Sequence, residues 1–128
     1  MSYTKLGAVV ITDIAGLRKA VMKDKRLIWV EGATSYKHEY NERPCVHKIQ
    51  VSDKGPGYEI GVIETQDGAG YNLIWDSSSG FERIIGKGAC DLNTSYAREV
   101  SRDWAAKNGF TMTETTDKEG NLVIEMTN

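Results

Sequence analysis

Apolar and polar positions follow two rhythms along this chain, and each change of rhythm predicts an element. Residues 6–12 form an apolar, β-branched run that ends at Asp13, a side chain suited to accept from the first N–H groups of a helix. Beyond it Ile14, Leu17, Ala20 and Val21 recur at three- and four-residue spacing, with Arg18, Lys19, Lys23 and Asp24 largely between them. That spacing predicts an amphipathic helix of about three turns. Arg26 to Glu31, containing Leu27, Ile28, Trp29 and Val30, reads as a strand buried on at least one face.

Between Gly32 and Pro44 the pattern dissolves into polar residues broken by Tyr36 and Tyr40, so a loop or an irregular edge hairpin is expected. Cys45, His47, Ile49 and Val51 then alternate with Val46, Lys48 and Gln50. The turn Asp53-Lys54-Gly55-Pro56-Gly57 leads to a strand over residues 58–64, and Asp67-Gly68-Ala69-Gly70 leads to another over 71–76. Strands joined in sequence by tight glycine turns predict an antiparallel meander.

A long connection follows, with an apolar centre at Phe81, Ile84 and Ile85 and the glycine-flanked Lys87 at its end. From Asp91 to Asn108, Leu92, Tyr96, Val100 and Trp104 recur every fourth position, and Gly109 stands where a left-handed cap is expected. This is the second helix, its stripe read as core and Arg98 and Arg102 as solvated. Residues 110–116 and 122–126 flank a turn at Asp117 to Asn121 and close the chain as a hairpin. The order β-α-β-β-β-β-α-β-β predicts a two-layer α+β sandwich. It would hold one antiparallel sheet of about five to seven strands with two helices packed on one face, the other face being open. Residues 1–128 are expected to form a single domain.

Composition narrows the functional classes. With 128 residues, 40% of them apolar and 27% charged, the chain has the makings of one core and not of a disordered segment. A net charge of −2, from 16 basic and 18 acidic residues mixed along the chain, lacks the basic excess of non-specific nucleic-acid binders. Cys45 and Cys90 are expected to be free thiols. No stretch approaches the ~18 apolar residues of a membrane span, and no apolar signal core follows Met1, so no membrane association and a cytoplasmic location are expected.

Several short motifs occur in one order: Met1-Ser2-Tyr3-Thr4-Lys5 before a strand and helix, Tyr58-Glu59-Ile60-Gly61, a strand opening Tyr71-Asn72-Leu73-Ile74, then Tyr96-Ala97, Gly109-Phe110 and Asp117 to Gly120. In these the chain resembles a small family of uncharacterised proteins of similar length found in cyanobacteria, algal plastids and tailed bacteriophages. The resemblance implies the fold and a phage or cyanobacterial context. It implies no activity and no catalytic residues.

No pattern points to chemistry. Cys45 and His47 are two apart on a predicted strand, with Cys90 and His38 the other candidate ligands, but the paired spacing of a zinc site is missing and no metal or other cofactor is expected. The two histidines lie close in sequence and no nucleophile-elbow signature is present, so a hydrolase is the third-ranked reading. Gly86-Lys87-Gly88 before the second helix offers backbone N–H groups and one cation to an anion, although Asp91 stands close by. Tyr36, Tyr40 and Phe81 in predicted loops, with Arg43, Arg83 and Lys87 near them and Trp75 at a strand end, make the mixture that stacks bases and pairs phosphates. The expectation is a non-enzymatic binding protein, a phage accessory or anti-defence factor that sequesters a small anionic ligand such as a nucleotide at these seven residues. A protein-interaction module using the open sheet face or an edge strand is the alternative, and a homo-oligomer suits both.

Overall fold

We describe the protein from a computed structural model covering residues 3–52 and 57–128. The predicted turn at Asp53 to Pro56 therefore lies outside the described residues. Among those described, the strands are β1 (Thr4–Leu6), β2 (Leu27–Val30), β3 (Ser35–His38), β4 (Asn41–Pro44), β5 (His47–Val51), β6 (Ile60–Glu64), β7 (Tyr71–Asp76), β8 (Thr111–Thr116) and β9 (Leu122–Thr127). The helices are α1 (Ile14–Lys23), the single turn α2 (Glu82–Ile85) and α3 (Cys90–Asn108). The fold is α+β, with an antiparallel five-stranded sheet in the order β1-β7-β6-β5-β2.

Asp13 starts α1 by accepting the Gly16 N–H at 3.0 Å, and Leu17, Ala20 and Val21 bury the predicted face. Against α1 lies α3. A Cβ at Gly16 would stand 2.7 Å from the Val100 side chain, so only glycine allows the two helices this close. The Tyr96 hydroxyl accepts the Thr12 and Asp13 N–H groups, each at 3.0 Å, and ties α3 to the start of α1. Gly109, at φ 71°, ends α3 in the left-handed conformation that its sequence position predicts. Strand register puts Leu27, Ile49, Ile60, Val62, Leu73 and Trp75 on the face that meets these helices, and all are buried there with Phe81 and Ile85.

The structure corrects five expectations. The run 6–12 is not one strand: Gly7 still bonds to Leu73, but the Ala8 N–H turns to the Gly88 carbonyl, and pairing resumes only at Ile11 opposite Tyr71. This detour leaves Val9 and Val10 exposed. Residues 35–44 form the hairpin β3–β4, turned by Glu39 and Tyr40 at positive φ, and it lies across the second sheet face, which is thus partly covered. β8 and β9 pair with each other and lie on α3 without joining the sheet. Trp104 is 48% exposed against Phe110, because α3, 19 residues to the 10 of α1, outruns its cover. The helix also buries Glu99, which Lys23 of α1 and Arg102 neutralise, while Arg98 pairs with Glu114, so neither arginine is simply solvated.

Candidate functional site

The second face of the sheet carries the chain's unusual chemistry. Strand pairing sets Thr4 beside Asp76, Leu6 beside Ile74, and Gly61 between Ile74 and Lys48. Onto this face β3 presents Tyr36 and His38, which are 1% and 5% exposed. The Tyr36 ring lies flat on Gly61, where an added Cβ would stand 2.6 Å from it. Burial pushes the Tyr36 phenol up against the opposing pull of the Arg43 guanidinium, its cross-strand neighbour, and the hydroxyl has no hydrogen-bond partner.

Two buried carboxylates flank that ring. Glu59 accepts the Lys37 N–H at 2.8 Å, Gln50 Nε2 at 2.8 Å and Lys48 Nζ at 3.1 Å. Burial alone would raise its pKa, but these donors outweigh it and hold the carboxyl below its usual range. The Asp76 Oδ1 accepts the Ser78 N–H at 2.8 Å and the Ser78 hydroxyl at 2.7 Å. Its Oδ2 makes no hydrogen bond and faces His38 Nδ1 at 3.4 Å. Burial again opposes ionisation, and the Ser78 donors with the nearby His38 and Arg43 overcome it, so Asp76 is also held low. On its other side the His38 Nε2 lies 3.4 Å from Thr4 Oγ1, which accepts from Arg43 Nη1 at 3.1 Å.

Past the hairpin the same face opens into a cleft of about 900 Å³ with Leu6, Val10, Ile63 and Ile74 along it, Thr4 at one end and Glu64 and Asp67 among its walls. Among the described residues no Lys, Arg or His lines it. The Thr65 hydroxyl and the Ala69 N–H keep the Asp67 carboxyl below its usual range. β1 is an edge strand. Tyr3 bonds to Ser77, just past β7, and Gly7 to Leu73 of β7, so alternation turns the backbone groups of Thr4 and Leu6 away from the sheet.

The seven residues of the expected nucleotide pocket do not share one lining. Tyr36 and Arg43 meet on the β3–β4 hairpin, and Tyr40, 69% exposed, covers Gly57 beside Tyr58. Trp75 and Phe81 belong to the core on the helix side, and Arg83 and Lys87 are exposed near α2. Buried rings offer no stacking surface to a base. In the Gly86-Lys87-Gly88 segment the anion is the chain's own: Glu82 accepts the Gly88 N–H at 2.7 Å and pairs with Lys5 at 3.0 Å.

Cys45 and His47 do not act together. A bend at Val46 leaves Cys45 bonded to the Ala33 carbonyl, while His47 accepts the Gly32 N–H and lies against Trp29 and Tyr71. Among the described residues no group of three or more His, Cys, Asp or Glu is placed to hold a metal, and both cysteines are free. No helix among them is long and apolar enough to cross a membrane. Thr4, His38 and Asp76 were not singled out together by the sequence, since they lie on three separate strands with no spacing to link them.

Comparison of the chain with known protein families, curated proteins and solved structures gives no match.

Proposed function

We propose that the chain is a binding protein whose working surface is the second sheet face, and that its partner presents an extended segment of apolar and basic side chains. The cleft beside β1 carries this reading. At about 900 Å³ it is the size of a ligand site, roughly 300–1,000 Å³, yet it opens along an edge strand rather than enclosing a small molecule. Leu6, Val10, Ile63 and Ile74 favour apolar groups, each Å² removed from water contributing about 25 cal/mol. Glu64 and Asp67 favour cations and disfavour a nucleotide. The outward backbone of Thr4 and Leu6 offers the donors and acceptors used when a strand is added to a sheet edge.

Amide chemical shifts of the labelled protein test this, with a peptide of alternating valine and lysine as probe and its valine–glutamate counterpart as control. Shifts at Leu6, Val10, Ile63 and Ile74 with the first peptide alone are expected. Equal response to both peptides, or a nucleotide that shifts Arg83 and Lys87 while the peptides do nothing, would overturn the reading.

A further inference from the structure

We propose that Thr4 is a nucleophile, with His38 as its base and Asp76 as the group that positions the base, and that the cleft accepts an ester whose acyl part is apolar. The groups form a chain of one polarity. Arg43 Nη1 donates to Thr4 Oγ1 at 3.1 Å, and Thr4 Oγ1 faces His38 Nε2 at 3.4 Å. His38 Nδ1 lies 3.4 Å from Asp76 Oδ2 with no hydrogen bond between them, while Oδ1 is fixed by Ser78. A nucleophile, a base and an orienting carboxylate in this relation define acyl-transfer sites on unrelated folds, and such contacts are commonly longer before substrate binds.

Burial is distributed as the chemistry requires. Asp76 and His38 are 1% and 5% exposed, whereas Thr4 is exposed and lines the cleft. The orphaned Asp76 Oδ2 is placed to stabilise the imidazolium that forms when His38 takes a proton. Were this cluster only a latch for the β3–β4 hairpin, a saturated network like that of Glu59 would serve, and no exposed hydroxyl at the cleft would be needed.

The reaction runs as two exchanges at the acyl carbon. Thr4 Oγ1 attacks the ester carbonyl as its proton passes to His38 Nε2, with the Arg43 guanidinium 3.1 Å from the attacking oxygen. The bond to the leaving alkoxide breaks and His38 returns the proton to it, leaving the acyl group on Thr4. Water then attacks with His38 as base, the bond to Oγ1 breaks, and the hydroxyl is restored with release of the carboxylic acid. The substrate class rests on the cleft reading above; the nucleophile does not.

Incubation of the full chain with p-nitrophenyl butyrate, followed by mass spectrometry of its peptides, tests the proposal. Expected are nitrophenol release above the buffer rate and a butyryl ester on the peptide carrying Thr4. Thr4→Ala should abolish both and Thr4→Ser restore them; Thr4 is exposed, so neither change should impair folding. Asp76→Asn should lower kcat by roughly a hundredfold at unchanged KM. No release, release that Thr4→Ala leaves unchanged, or butyryl groups only on lysines overturns the proposal. The valine–lysine peptide, tested on Thr4→Ala, separates the two readings: binding there with no acylation of the native chain sinks the chemistry and leaves the binding surface standing.

Discussion

The two faces of the five-stranded sheet solve the problem of burial in opposite ways. The helix side is apolar, its Leu73, Val62, Ile60 and Trp75 packed with Leu17 and Val21. The other side buries His38, Glu59 and Asp76 beneath a hairpin and then leaves Leu6 and Val10 exposed beside a cleft. Apolar packing dominates the first face, where Trp75 Nε1 is buried without a partner. The second face gathers the sheet's buried ionisable groups, with Glu59 saturated by donors and Asp76 keeping one oxygen unpartnered, and that contrast locates the working surface.

Truncation should separate the faces by magnitude. Trp75→Ala, at a residue 0% exposed, should cost about 3–5 kcal/mol by loss of apolar contact and the cavity left behind. Chemical denaturation reads this, and a cost below that of the polar-face variants would break the comparison. Glu59→Ala should cost about 1–3 kcal/mol, because the Lys37 N–H, Lys48 and Gln50 lose their acceptor.

Acid bears on the buried carboxyls of the second face. Glu59 and Asp76 are both held below their usual values, so the folded chain binds their protons less readily than the unfolded chain. The stability they contribute is complete above their unfolded values of about 4 and is lost as pH falls through the lower folded values. Melting temperature followed from pH 6 downward should therefore fall less steeply for Glu59→Gln with Asp76→Asn than for the native chain. Equal slopes would show that these carboxyls are not what acid titrates.

The helix side was legible in the sequence because it is written in periodicity. Asp13, the stripe from Leu17 to Val21, the alternation through Ile49 and Val51, and Gly109 each announce an element locally. Trp104 misled, because a four-residue repeat cannot say where the covering helix ends. The second face was nearly illegible: residues 32–44 show no alternation strong enough to separate hairpin from loop, and what brings Tyr36 onto the sheet is a bare Gly61 on another strand. Aromatic residues in an apparent loop read as a stacking surface, whereas Tyr36 and Phe81 are the anchors that pin their segments down. Likewise, a glycine-flanked lysine cannot reveal that Glu82 already fills the place of its anion.

The smallest expected change in stability goes with the largest in binding. Leu6 is 54% exposed, so Leu6→Asp should alter stability by no more than about 0.5 kcal/mol. Titration of this variant with the valine–lysine peptide, beside its melting curve, tests the working surface most directly. The account predicts an unchanged melting temperature and loss of the peptide shifts at Val10, Ile63 and Ile74; a variant that melts as the native chain does and still binds the peptide would contradict it.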